Sequence, residues 1–266
     1  MGYPLFIARR IIFNAQPSFS RFIIRLAVAA TILSVATMVI TLSLVNGFQR
    51  AVANKVYSFW GHARVGPVDP FQSMVSDEEG FVVSDSVKQA IERVPGVQRY
   101  HPFAIKSVVL KTGGQFEGVL LKGVGDRFDV DAFAPYMLQG DLISFTEDQY
   151  THQVVLSHHT AARMQVGPGD TLQCFFIRSG QDIRSRSVVV SGIYKTGIEE
   201  YDKNFAIADI GLIRRLNLWD KDRVGGVEIF FDRPGDAASL AAGIRDHLPM
   251  KLDCLAVEDI YPNIFD

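Results

Sequence analysis

The chain has 266 residues, of which 48% are hydrophobic, enough for a sizeable core in one or two domains. Its net charge of −2 hides an asymmetry: residues 1–68 hold seven bases (Arg9, Arg10, Arg21, Arg25, Arg50, Lys55, Arg64) and no acid, leaving 20 bases against 29 acids in the remainder. An acidic globular part argues against a nucleic-acid partner.

Residues 26–49, LAVAATILSVATMVITLSLVNGFQ, carry no charge. As a helix they extend about 36 Å, against a bilayer hydrocarbon core of about 30 Å, so this segment is expected to span a membrane. Four of the seven early bases precede it, which favours a cytoplasmic N-terminus. Ala51-Val52-Ala53 has the form of a signal-peptidase site, a rival reading, but the apolar run is far longer than the usual ~7–15-residue core of a signal peptide. Residues 1–25 include PLFIARRIIF, which fits both an amphipathic interfacial segment and an ordinary basic flank.

Within the span, Ala27, Ala30, Ser34, Thr37 and Thr41 recur at alternating three- and four-residue spacing and stack as one seam of small residues. Ile32, Val35, Val39 and Leu42 take the other side. Small residues let helix backbones approach closely in lipid, so the seam is expected to be a helix-packing face.

After the span, residues 64–80 are rich in Gly, Pro and acids and read as strand and loop. SDSVKQAIERVPG places Val87, Ala90, Ile91 and Val94 on one helical face, between a Ser/Asp start and a Pro-Gly stop. The strands QRYHPFAIKSVVLKT and FEGVLLKGV follow, joined at Gly113-Gly114 as a hairpin. Near the C-terminus the same order returns: strand GGVEIFF, a helix burying Ala237, Leu240, Ala241, Ile244 and Leu248, and strand KLDCLAVED. Between these units lies a short helix and then β-rich sequence, with a turn at Gly167-Pro168-Gly169-Asp170 and a hairpin tip at Ser179-Gly180-Gln181-Asp182.

The expected fold class is therefore α+β. One N-terminal transmembrane helix (26–49) precedes an extracytoplasmic domain whose ferredoxin-like βαβ halves, 50–125 and 217–260, flank a β-rich insertion, 126–216, with its own small core.

Candidate chemistry is sparse. His152, His158 and His159 lie close in sequence, but no metal-binding His pair at helical spacing appears. Glu199, Glu200 and Asp202 surround Tyr201 in an acidic cluster that a solvated loop explains. No nucleophile elbow, CxxC pair or phosphate-binding loop is present, so no catalytic residue, metal or cofactor is assigned to this chain. Cys174 and Cys254 are far apart in sequence, and both pairing and separate burial remain open.

The order of an amphipathic FIARRIIF, a span ending in LSLVNGFQ and an extracytoplasmic α/β part resembles the LolC/LolE permease family, within the wider MacB/FtsX group of ABC transporters. The match is most specific at L-S-x-x-N-G-F (Leu42 to Phe48), with support from VVLSHHTAARMQVGPGDTL and from the Tyr201-Asp202 stretch. Such permeases have four membrane helices, so the resemblance implies a truncated permease whose residues 261–266 lead toward a second helix. It also implies a bacterial inner-membrane location, a periplasmic main domain, an ABC ATPase subunit that binds the ATP, and a second permease copy or paralogue. The implied cargo is lipoprotein, with acyl chains against Leu42, Val45, Asn46 and Phe48. The hairpin loop at Ile177, Arg178, Arg184 and Arg186 matches the one that hooks a periplasmic carrier, although here it lacks proline. Competing readings are a MacB- or FtsX-like exporter or cell-wall hydrolase regulator, and a membrane-anchored enzyme using His152, His158 and His159.

Overall fold

The structure is a computed structural model, and it describes Tyr3 and residues 19–68, 80–145, 150–177 and 183–262. Contacts divide the chain into two units, Met1–Val52 and Ala53–Asp266.

The first unit is dominated by helix α1, Phe19–Trp60, whose 42 residues correspond to about 63 Å of helix. Up to Phe48 its large apolar residues are exposed on every side, among them Leu33 (69%), Ile40 (66%) and Leu44 (71%). From Phe22 to Ala51 every residue of the helix is exposed, and a stretch that is apolar all round and buries nothing belongs in lipid or among other membrane helices. Among the described residues it is the one helix long and apolar enough to cross a membrane. The helix does not stop where the charge-free run ends: it continues through Arg50 and Lys55 to Trp60.

The second unit begins with the last turns of α1. Its ferredoxin-like part has strands β1 (Ala63–Pro67), β3 (Val97–Thr112), β11 (Gly226–Phe231) and β12 (Leu252–Ala256), in the antiparallel order β12-β1-β11-β3. Helix α2 (Asp85–Glu92) precedes β3, and α7 (Ala237–Arg245) joins β11 to β12. The two βαβ halves thus interleave, each contributing one inner and one outer strand. Helix α2 buries Val87, Ala90 and Ile91, and α7 buries Ala237, Ala241 and Ile244; Val94, Leu240 and Leu248 are only partly buried against the same core. The short strands β2 (Phe81–Val82) and β10 (Arg223–Val224) pair with each other beside this sheet.

Strand β3 is 16 residues long and belongs to two structures. Its first half pairs with β11, and its second half forms the hairpin with β4 (Gln115–Val124), where Thr112 faces Gln115 across Gly113-Gly114. From β4 the pairing runs to β9 (Phe205–Asp209), β6 (Gln153–Ser157) and β8 (Ile183–Tyr194), with β5 (Met137–Gly140) at the outer edge of β8. Strand β7 (Thr171–Ile177) pairs with both β8 and β3, so β3-β4-β9-β6-β8-β7 closes into a six-stranded barrel.

Alternate residues of all six strands fill the barrel interior, as the two-residue period of a strand requires: Val108 and Leu110, Val119 and Leu121, Ala206 and Ala208, Val154 and Leu156, Val188 and Val190, and Leu172, Cys174 and Phe176. The same cluster runs on without a break into Ala63, Val65, Val227, Ile229 and Cys254 of the ferredoxin-like sheet. The expectation that 126–216 has its own small core is corrected here. Because β3 and β4 come from the first βαβ half and also form barrel staves, the insertion shares its core with the segments that flank it.

Helices α4 (His158–Met164) and α6 (Ile210–Asn217) lie on this cluster through Ala161 and Met164, and through Leu212, Ile213 and Leu216. Short helices α3 (Val130–Phe133), α5 (Glu199–Asn204) and α8 (Val257–Ile260) complete the unit. Cys174 and Cys254 are separately buried and unpaired, on β7 and β12, and burial pushes each thiol up to about 12.

Candidate functional site

The most densely built polar site surrounds the end of α1. Val56, Phe59 and Trp60 are fully buried in a second apolar cluster with Phe103, Ile105, Val124, Tyr201, Phe205 and Tyr261. The Phe59 ring stacks on Tyr201 at 4.8 Å, and Trp60 meets Phe205 edge-on at 5.2 Å. Such pairs contribute about 0.5–1.5 kcal/mol each beyond their area burial.

The helix stops at Gly61, whose φ of +73° places it in the left-handed region, with its N–H donating to the Tyr57 carbonyl at 2.8 Å. The Phe59 carbonyl, one of the helix-end acceptors without an intrahelical donor, is met by Lys122 Nζ. Lys122 also lies 4.4 Å from the Trp60 ring centroid and pairs with Glu228 at 2.6 Å. Glu228 is held on its other oxygen by His101 Nε2 at 2.9 Å. His101, Lys122 and Glu228 are each only 1% exposed.

Burial pulls the Lys122 ammonium down to about 8 against the opposing charge of Glu228. Burial alone would raise the Glu228 carboxyl, but Lys122 and His101 outweigh it and hold the group below its ordinary value. A cation at a helix C-terminus also complements the partial negative charge there.

Sequence reasoning missed this site. Its only signal was a single charge in each of two otherwise apolar strand cores, Lys122 in VLLKGV and Glu228 in GGVEIFF.

The acidic cluster divides. Glu199 and Glu200 are exposed, whereas Tyr201 and Asp202 are buried. Asp202 accepts from the Thr196 N–H and hydroxyl and from the Gly197 N–H, at 2.8–2.9 Å, and so fixes the loop before α5. A solvated loop therefore describes only its outer half.

The residues singled out in the span are all exposed on α1: Ala27, Ala30, Ser34, Thr37 and Thr41, and Leu42, Val45, Asn46 and Phe48. Helical spacing continues the seam's line through Val45 and Phe48, while Leu42 and Asn46 stand to its side. Of the hairpin loop, Arg178 and the tip 179–182 lie outside the described residues, as does the side chain of Ile177. The loop's base is set by the pairing of Ile177 with Ile183, and Arg184 and Arg186 are exposed just beyond it. Beside it runs an apolar groove of about 800 Å³ lined by Val109, Phe116, Phe175 and Ile183.

The structure does not bring the three histidines into one ligand set. His152 bonds the Ser187 carbonyl at 3.2 Å, while His158 and His159 face a separate cleft. Among the described residues no group of three or more His, Cys, Asp or Glu side chains is placed to hold a metal.

A helix long and apolar enough to cross a membrane thus ends as a core element of an α+β domain, in which a ferredoxin-like sheet continues into a barrel. A family model described as the MacB-like periplasmic core domain matches residues 26–246, and the chain belongs to that family. The lipoprotein-releasing system transmembrane protein LolC of Neisseria meningitidis serogroup B is 23% identical over 229 residues, 84% of this chain and 53% of the relative. The lipoprotein-releasing system transmembrane protein LolE of Haemophilus influenzae is 19% identical over 226 residues, 83% of this chain and 52% of the relative. The chain thus spans about half the length of the curated relatives it matches. Among solved structures, the periplasmic region of MacB from Actinobacillus actinomycetemcomitans is similar at a TM-score of 0.49 and 16% identity, over 76% of this chain and 91% of that one.

Proposed function

We propose that the chain is part of the permease of an ABC transporter that releases lipoproteins from the bacterial inner membrane. The N-terminus faces the cytoplasm and the α+β domain faces the periplasm. A partner ATPase subunit binds and hydrolyses the ATP, and a second permease copy or paralogue completes the membrane part. One observation carries the mechanical reading: Phe59 and Trp60 are core residues clamped by Lys122, not a surface stalk. A membrane helix moved by the ATPase then acts directly on the folded core, a coupling through rigid packed elements. The cargo class rests on the similarity to LolC and LolE and on the LSLVNGFQ ending, where Leu42, Val45 and Phe48 offer apolar contact for acyl chains.

Depleting the protein tests this reading. Outer-membrane lipoproteins should accumulate in the inner membrane; normal sorting with retained peptide or small-molecule substrates would favour a MacB-like exporter instead. Carrier capture by the hairpin is the second element of the proposal, supported by the exposed Arg184 and Arg186 beside the apolar groove. Removing residues 179–185 from the complete permease should weaken pull-down of the periplasmic carrier, and unchanged pull-down would remove that element.

A further inference from the structure

The cleft between α4 and α5 has no role in this scheme, and its chemistry is distinct from that of the surrounding domain. It measures about 590 Å³, within the range of roughly 300–1,000 Å³ typical of small-ligand sites. In a domain with an excess of acids, its walls carry His158, His159, Arg163, Lys195 and Lys203. Lys55 adds a further cation, its ammonium 3.1 Å from where a side chain on the wall residue Gly197 would begin.

The two wall carboxylates are already engaged. Asp202 is turned onto the Thr196 and Gly197 backbone, and Glu199 is paired with Lys203. Arg163 is shared with Glu117 at 3.1 Å. Lys55 and Lys195 have no carboxylate partner among the described residues, and His159 Nδ1 is buried without a hydrogen-bond partner. His159 lines the cleft together with Lys195.

We propose that this cleft binds a phosphate group through Lys55, Lys195 and His159. The three are carried by α1, by the loop after β8 and by α4. Donors from three separate elements suit a tetrahedral anion better than a planar carboxylate, which a single forked Arg can satisfy. Two sources can supply the group. Lys55 lies six residues beyond Gln49, about 9 Å of helix past the charge-free run and so just outside a lipid headgroup layer about 5–7.5 Å deep, a gap that its long side chain is able to span. A soluble phosphorylated molecule can enter the same cleft from the periplasmic side. The site stands apart from the transport reading, because it rests only on the folded domain and the position of Lys55.

The test uses the full chain, isotope-labelled, in dodecyl maltoside micelles, which contain no phosphate. The Gly197 and Lys195 amide resonances are followed while phosphatidylglycerol is added to the micelles and, separately, while inorganic phosphate replaces chloride at constant ionic strength. A saturable shift is expected, weakened at least tenfold in the Lys55→Gln, Lys195→Gln double variant and unaffected by the control Lys251→Gln. Saturation by phosphatidylglycerol alone assigns the site to a membrane lipid, and saturation by inorganic phosphate assigns it to a soluble ligand. The absence of saturation with both, or a response undiminished in the double variant with the remaining resonances unmoved, overturns the proposal.

Discussion

Lys122 closes the end of α1 by donating to the Phe59 carbonyl, and both residues are 1% exposed. The helix is therefore anchored in the domain by a charge as well as by aromatic packing. Removing one partner of such a buried pair leaves the other uncompensated, a change that typically costs about 3–5 kcal/mol. Lys122→Met is expected to destabilise the periplasmic domain by about that amount in chemical denaturation. Adding Glu228→Gln to Lys122→Met should recover a large part of the loss, because the stranded carboxylate is removed. Equal destabilisation of the single and double variants would show that packing, not charge, makes the site.

His62, directly after the Gly61 stop, supplies an internal pH dependence. Its Nδ1 accepts the Phe231 N–H at 2.8 Å, which requires a deprotonated nitrogen, and burial together with the charge of Arg99 lowers the ring to about 4 from 6.5. Between those values the unfolded chain binds more protons than the folded one, so stability rises with pH across this window and is lost on acidification toward pH 4. The melting temperature should fall from pH 6.5 to 4 more steeply than in His62→Asn, which keeps an acceptor for Phe231 but cannot titrate. Parallel curves for the two proteins would place the acid sensitivity elsewhere.

Much of the fold was legible because its signals are local. The charge-free run gave the membrane segment, Gly113-Gly114 gave the hairpin, and the apolar spacing of α2 and α7 gave the repeated βαβ order. Barrel closure was not legible, since the pairing of β7 with β3 joins strands far apart in sequence and leaves no mark on either. The length of α1 was hidden for a different reason: Arg50 and Lys55 announce the end of the lipid-facing stretch, but charges do not end a helix. At the clamp, Lys122 and Glu228 were visible as charges in apolar strands, yet only the folded chain reveals that they meet each other and the Phe59 carbonyl.

The Gly61 stop makes a sharper prediction about α1 than any propensity does. A Cβ there would lie 3.0 Å from the Ile229 carbonyl oxygen and 3.4 Å from the Glu228 Cβ, on a backbone with φ of +73°. A non-glycine residue in that conformation costs about 1–3 kcal/mol. Gly61→Ala should lower domain stability within that range, whereas Gly235→Ala, where a Cβ meets nothing within 4 Å, should be close to neutral. Thermal or denaturant melts of the two variants separate these outcomes.

The seam on α1 can be tested for size rather than polarity. Thr37 donates its hydroxyl to the Leu33 carbonyl within the helix at 2.9 Å, so this group is satisfied without a neighbouring helix. If the seam packs another membrane helix, Thr37 contributes by being small. Thr37→Ala should then leave assembly with the proposed second permease subunit unchanged, while Ala30→Leu with Thr37→Leu should sharply reduce co-purification of that proposed complex. Melting of the periplasmic domain should be the same in all three proteins, because the seam precedes both the second unit, which begins at Ala53, and the buried turns, which begin at Val56. Loss of assembly in Thr37→Ala would instead assign the hydroxyl a partner across the helix interface, and full assembly of the double Leu variant would remove the seam from the interface.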